Sequence, residues 1–140
     1  MIRYVLGGIC AVAVGSLYAC ATVAGVAVRP AAMAGTWVGE GVQTPVEPDS
    51  RWPLRVVLNP AGDGAIAYPT LGCGGPLTRL RSIGNTVVYR EVITYGADTC
   101  VVGGTVTMVR DGGRLFWYWT GDGTDEPEIS ATAVLRRVGD

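Results

Sequence analysis

From residue 36 to the end of the chain, apolar and polar positions alternate in short runs, and glycine, proline, asparagine or aspartate separates one run from the next. A period of two is the mark of strands with one face buried. The pattern predicts eight of them, at residues 36–44, 53–59, 65–70, 75–82, 86–95, 99–110, 114–120 and 129–138. The clearest is 86–95, TVVYREVITY, rich in β-branched and aromatic side chains. Leu54, Val56 and Leu58 share a face of the second run, and Leu115, Trp117 and Trp119 share a face of the seventh. Asn59 to Gly64, Gly84-Asn85 and Asp111-Gly112-Gly113 read as tight turns. The Gly103-Gly104 pair reads as a bulge or bend, and Pro69 as a strand end or edge. No stretch after residue 34 has helical periodicity.

Short strands joined by tight turns pair with their sequence neighbours in antiparallel fashion. A sheet of about eight strands in so small a domain hides its edges by closing on itself. The expected fold is therefore all-β, a small up-and-down antiparallel β-barrel, with a two-sheet sandwich as the alternative.

The first 34 residues are of another kind. Met1-Ile2-Arg3 is a short basic start, and residues 4–28 carry no charge, enough apolar chain to span a bilayer. Three readings stand. Leu17-Tyr18-Ala19-Cys20 resembles a bacterial lipobox with Cys20 as the lipidated residue, although Tyr18 departs from the usual small residue. Ala32-Met33-Ala34 reads as an A-x-A cleavage site. The segment also reads as an uncleaved anchor. All three divide the chain into a targeting or anchoring segment, 1–34, and an extracytoplasmic domain, 35–140. The membrane is then a partner through the N-terminal segment, and the domain is membrane-anchored or secreted.

Composition narrows the function. All 11 basic residues are arginines and there is no histidine. Residues 35–140 carry nine arginines against twelve acids, net −3, which argues against nucleic acid as a partner. Without His or Lys the usual general bases and activated nucleophiles are missing, so a non-catalytic protein without cofactor is expected. Asp122, Asp125, Glu126 and Glu128 lack the spacing of a calcium loop and read as solvated. In an exported domain the pair Cys73 and Cys100 is expected to form a disulfide. Two cysteines without His make no ordinary zinc site.

Two resemblances follow from these residues. Gly35-x-Trp37 on the first strand with Arg136 or Arg137 on the last resembles the calycin group of lipocalins, fatty-acid-binding proteins and avidins. That resemblance implies a Trp–Arg plug at one end of the barrel. The pattern Gly35-x-Trp37-x-Gly39, Gln43, Tyr68-Pro69-x-Leu71-x-Cys73-x-Gly75-x-Leu77, Glu91 and Cys100-x-x-Gly103 is similar to a small bacterial domain. That domain belongs to secreted lipoproteins and to extracytoplasmic parts of actinobacterial Ser/Thr kinases. The similarity implies export, the Cys73–Cys100 bridge and a non-catalytic role.

Four residues are candidates for binding. Tyr68 opens a Gly-rich string, Tyr68 to Gly75, that either admits a ligand to backbone amides or forms a rigid corner pinned by the disulfide. Glu91 is in phase with Val87, Tyr89, Ile93 and Tyr95, so an inward face would bury a carboxyl needing a partner, with Arg79, Arg81 and Arg114 as candidates. Trp52, expected in the loop from Pro45, and Tyr118, opposite in phase to Trp117 and Trp119, offer contact aromatics. Two functions are open. One is a protein-interaction module of the cell envelope, such as a hydrolase inhibitor or a surface-shielding lipoprotein. The other is a calycin-like carrier of a small or apolar ligand, for which Gly39, Gly41, Ala131 and Ala133 would leave interior space.

Overall fold

Eight antiparallel strands follow one another around a closed barrel, and the first pairs with the last. In the computed structural model, which describes residues 30–121 and 129–139, they are β1 (Gly35–Thr44), β2 (Arg51–Leu58), β3 (Gly64–Tyr68), β4 (Cys73–Ile83), β5 (Thr86–Glu91), β6 (Gly104–Asp111), β7 (Arg114–Gly121) and β8 (Ser130–Arg137). The barrel is the expected one, and the β1–β8 ladder removes the open edges a sandwich would keep. The segment expected to target or anchor the chain, with Cys20, lies up to residue 29 outside the described residues, as does the acidic stretch 122–128.

Alternation decides which side chains fill the interior. Leu54, Val56 and Leu58 from β2, Val106 and Met108 from β6, Leu115 and Trp117 from β7, and Leu135 from β8 are buried. Each contributes roughly 1.5–3 kcal/mol through loss of apolar surface from water.

Three expected spans shift. The second strand begins at Arg51, so Trp52 sits on a strand and on the inward side, in phase with Leu54. The loop expected to run from Pro45 to Trp52 is correspondingly shorter. The fifth strand stops at Glu91 rather than residue 95, and the sixth starts at Gly104 rather than residue 99. Residues 92–103 leave the β5–β6 ladder and fold as a flap over the start of β4. The Thr94 amide donates to the Gly74 carbonyl at 2.9 Å, and the Val92 amide to the Pro76 carbonyl at 3.3 Å. A Cβ on Gly75 would overlap the Val92 carbonyl, so the flap can lie this close only against glycine. Alternation alone does not register this departure, because the flap still buries Ile93.

The strand directions give the barrel two unlike ends. One gathers the β2–β3, β4–β5 and β6–β7 turns and the start of β1. The other gathers the 45–50 and 69–72 loops, the 92–103 flap, and the ends of β7 and β8 that flank the acidic loop.

The first end is plugged. A 3-10 turn, Pro30–Met33, precedes β1 and buries Met33. The Trp37 indole N–H donates to the Met33 carbonyl at 2.9 Å. Arg137, paired with Trp37 across the β1–β8 ladder, stacks its guanidinium 4.8 Å from the indole centroid. Arg137 also donates to the Ala32 carbonyl at 3.1 Å, and Arg110 donates to the same oxygen. Of the two arginines that alternation left open, Arg137 makes the stack, and Arg136 points outward because Leu135 points in. Ala32-Met33-Ala34, which also reads as a cleavage site, is built into this plug.

Candidate open-end binding site

At the other end the interior is not full. A cavity of about 110 Å³ opens there, with Glu91 among its lining residues. Glu91 is the last residue of β5 and faces inward, 1% exposed. Its expected partners do not hold it. Arg79, paired with Tyr89, and Arg81, paired with Val88, are exposed on either side of the β4 bulge, and Arg114 begins β7 at the plugged end. The Tyr68 hydroxyl donates to Glu91 Oε2 at 2.8 Å, and the Trp119 indole N–H donates to Oε1 at 3.2 Å. Both donors are neutral, so burial dominates and pushes the Glu91 carboxyl up to about 7, while the two hydrogen bonds pull it down. Burial, and then the neighbouring Glu91, push the Tyr68 phenol far up, so Tyr68 stays a donor.

Aromatic rings wall the cavity. The Trp52 ring meets Tyr68 edge-on, centroids 5.1 Å apart, and Trp117 edge-on at 6.0 Å. Gly41 is the β1 partner of Trp52, and a Cβ there would overlap the Trp52 ring. The interior space expected from Gly41 is therefore taken by Trp52, and that beside Gly39 by Leu135, whereas Ala131 does border the cavity. Gln43 adds an amide to the rim.

The Cys73–Cys100 disulfide forms and ties the flap to the start of β4, Cα atoms 6.4 Å apart. The Thr99 hydroxyl donates to the Leu71 carbonyl at 2.8 Å and fastens the flap to the 69–72 loop. The Tyr68 to Gly75 string is thus a pinned corner, and the Tyr68 ring reaches past it into the cavity.

Three of the four candidate binding residues, Tyr68, Glu91 and Trp52, come together here. Tyr118 does not. It lies on the outer face of β7, 45% exposed. Trp52, expected in the first loop as an exposed or half-exposed contact, sits on β2 instead as a half-buried wall. Sequence reasoning missed the tie between Trp119 and Glu91. The two are 28 positions apart, and only the β5–β6–β7 register brings them together. It also missed Arg110 and Met33 at the plug, although an apolar residue four places before Trp37 was visible.

Chemically the site offers one carboxyl, a phenol and indole N–H groups against aromatic walls. Among the described residues that line the cavity, Glu91 is the one acid, and no cluster of three metal-ligating side chains occurs among the described residues. No protein-family model, no curated protein and no solved structure matches the chain.

Proposed function

We propose that the protein is a non-catalytic binding barrel of the cell envelope, exported and tethered through its N-terminal segment, whose open end takes a small ligand. The observation that carries this reading is the aromatic-walled cavity of about 110 Å³ with a buried carboxyl in its lining. An apolar cavity of roughly 150 Å³ holds a benzene molecule, so a single ring is the right scale. A small pocket with few, well-placed polar groups is the usual form of such sites. The plug at the opposite end supports the same reading, since it leaves one way in. The likeness to calycins through Trp37 and Arg137 and the bacterial lipoprotein-like motif agree with an exported, non-catalytic role.

A second reading, a protein-interaction module such as an inhibitor of an envelope hydrolase, is favoured by the outer face of β7, β8 and β1. There Phe116, Tyr118, Val134 and Val38 are 40–45% exposed on neighbouring strands. Native mass spectrometry on protein recovered from an oxidising export compartment separates the two. Extra mass that leaves on denaturation supports the ligand carrier. A bare mass, with partner capture that Tyr118→Ser weakens, supports the interaction module.

A further inference from the structure

Charge is divided between the two ends of the barrel. At the plugged end Arg79, Arg81, Arg114 and Arg136 are exposed, and the acids near them are Asp63 and Asp111. Arg79 is level with the β2–β3 turn, since its amide donates to the Asp63 carboxylate at 2.8 Å. Arg114 pairs with Asp111 on one side and with Arg136 on the other. Arg110 and Arg137 add their charge from within the plug. At the open end the balance reverses, with Glu40, Glu47, Asp49 and Asp98 exposed against Arg51 and Arg90, and Arg51 already paired to Glu40 at 3.0 Å. Apolar side chains stand among the arginines of the plugged rim. Leu80, between Arg79 and Arg81, is 57% exposed, and Ile83, the last residue of β4, is 71% exposed, the highest value for a large apolar residue among the described residues. Val138, just past β8, is exposed on the same rim.

The chain enters the barrel at this same rim. The Pro30–Met33 turn is built into the plug, and Arg29 alone separates it from the uncharged run 4–28. One extended residue reaches at most about 3.6 Å. A bilayer that holds the run therefore holds the plugged rim at its surface. Resting on the membrane-tether reading above, we infer that the plugged rim docks on an anionic phospholipid surface. Arg79, Arg81, Arg114 and Arg136 face the headgroups, and Leu80, Ile83 and Val138 enter the interface between them. Arginine alone would suit any polyanion. The interleaved apolar side chains and the adjoining apolar run select a lipid surface, where apolar burial and charge attraction act together. The acidic open end is repelled by the same surface, so the barrel stands with its cavity turned away from the membrane and open to solutes.

The test places the full-length chain in lipid nanodiscs, of phosphatidylcholine alone or mixed with phosphatidylglycerol, that carry a headgroup nitroxide quencher. Ile83→Trp reports on the plugged rim and Val46→Trp, also at an exposed position, on the open end. The fluorescence of each is read as the difference from the unsubstituted chain. The expected result is that quenching of Ile83→Trp on the anionic discs exceeds that on the neutral ones at least about fivefold, the effect of a single arginine near such a surface. High salt should remove the excess, and Val46→Trp should stay unquenched on both. Adding Arg81→Gln and Arg114→Gln to Ile83→Trp should bring the anionic discs down to the neutral value. The salt response of the unsubstituted rim stands as a readout if that variant folds poorly. Equal quenching on the two kinds of disc would mean that the tether alone sets the contact, and overturns the docking surface. Stronger quenching of Val46→Trp than of Ile83→Trp overturns it as well, by reversing the orientation. Chain held in the discs with neither reporter quenched overturns the docking and leaves the tether standing. Chain that enters no disc overturns both.

Discussion

The two ends of this barrel use the same kinds of residue to opposite effect. At the plugged end a tryptophan meets cations and carbonyls. The Trp37 N–H is spent on Met33, its ring face on Arg137, and the Ala32 carbonyl takes two arginines. At the open end tryptophans meet a carboxyl that has no cation beside it among the described residues. Trp119 donates to Glu91, and the Trp117 N–H has no protein acceptor among the described residues. A closed set of partners makes a stopper. An incomplete set beside a cavity suits the binding role proposed above. Stability should therefore concentrate at the plug, and sensitivity to pH and ligand at the open end.

The largest effect should come from the plug. Trp37→Ala removes a fully buried indole, its hydrogen bond and its cation stack, and should cost about 3–5 kcal/mol in chemical denaturation. Starting the chain at Gly35 removes Met33 and the Ala32 carbonyl, and should destabilise in the same direction. A loss under 1 kcal/mol for Trp37→Ala would break the comparison.

Next is the disulfide. Its 27-residue separation corresponds to about 3–4 kcal/mol of loop-closure entropy. Reduction, or a Cys73→Ser, Cys100→Ser double variant, should lower the denaturation midpoint accordingly. Hydrogen exchange should show the flap amides of Val92 and Thr94 opening before those of β1.

The pH dependence should be somewhat smaller and belongs to Glu91. Its folded pKa is raised from 4.5 to about 7. Between those values the folded state holds the proton and the unfolded chain does not. Stability from this group is thus present in full below about pH 4.5, falls as pH rises towards 7, and levels off above it, a change on the order of 3 kcal/mol. Glu91→Gln should flatten that slope, read from denaturation midpoints at pH 5 and pH 8. A slope unchanged in the variant would mean that Glu91 titrates as an exposed acid.

Smallest is Tyr68→Phe, which removes one donor to the buried carboxyl. It should cost about 1–2 kcal/mol at pH 8 and less at pH 5, where Glu91 is mostly protonated. Equal losses at the two pH values would separate the Tyr68 bond from the charge of Glu91.

Much of this was legible in the sequence because the period-two pattern, turns and cysteine pair are local signals. They are enough for a closed barrel, for Glu91 in phase with Val87 and Tyr89, for Tyr118 on the face opposite Trp117 and Trp119, and for the Cys73–Cys100 bridge. What was not legible depended on register across strands. Whether Arg136 or Arg137 stacks on Trp37, whether Glu91 meets arginine or indole, and whether Gly41 leaves space or makes room for Trp52 are each set by a partner on another strand. Trp52 itself was misplaced because Arg51 and Pro53 hide its alternation with Leu54, although both simply face outward.

One spectrum compares the two ends directly. Solvent exchange of the indole N–H protons of Trp37 and Trp117, measured on the ligand-free protein, reports whether each is sealed. The Trp37 proton, bonded to the Met33 carbonyl inside the plug, should exchange only through large opening. The Trp117 proton, buried in the wall of the open-end cavity and held by no protein acceptor among the described residues, should exchange at least about a hundredfold faster. A Trp117 proton as protected as that of Trp37 would mean that the open end is sealed as well, and would contradict a ligand-receiving barrel.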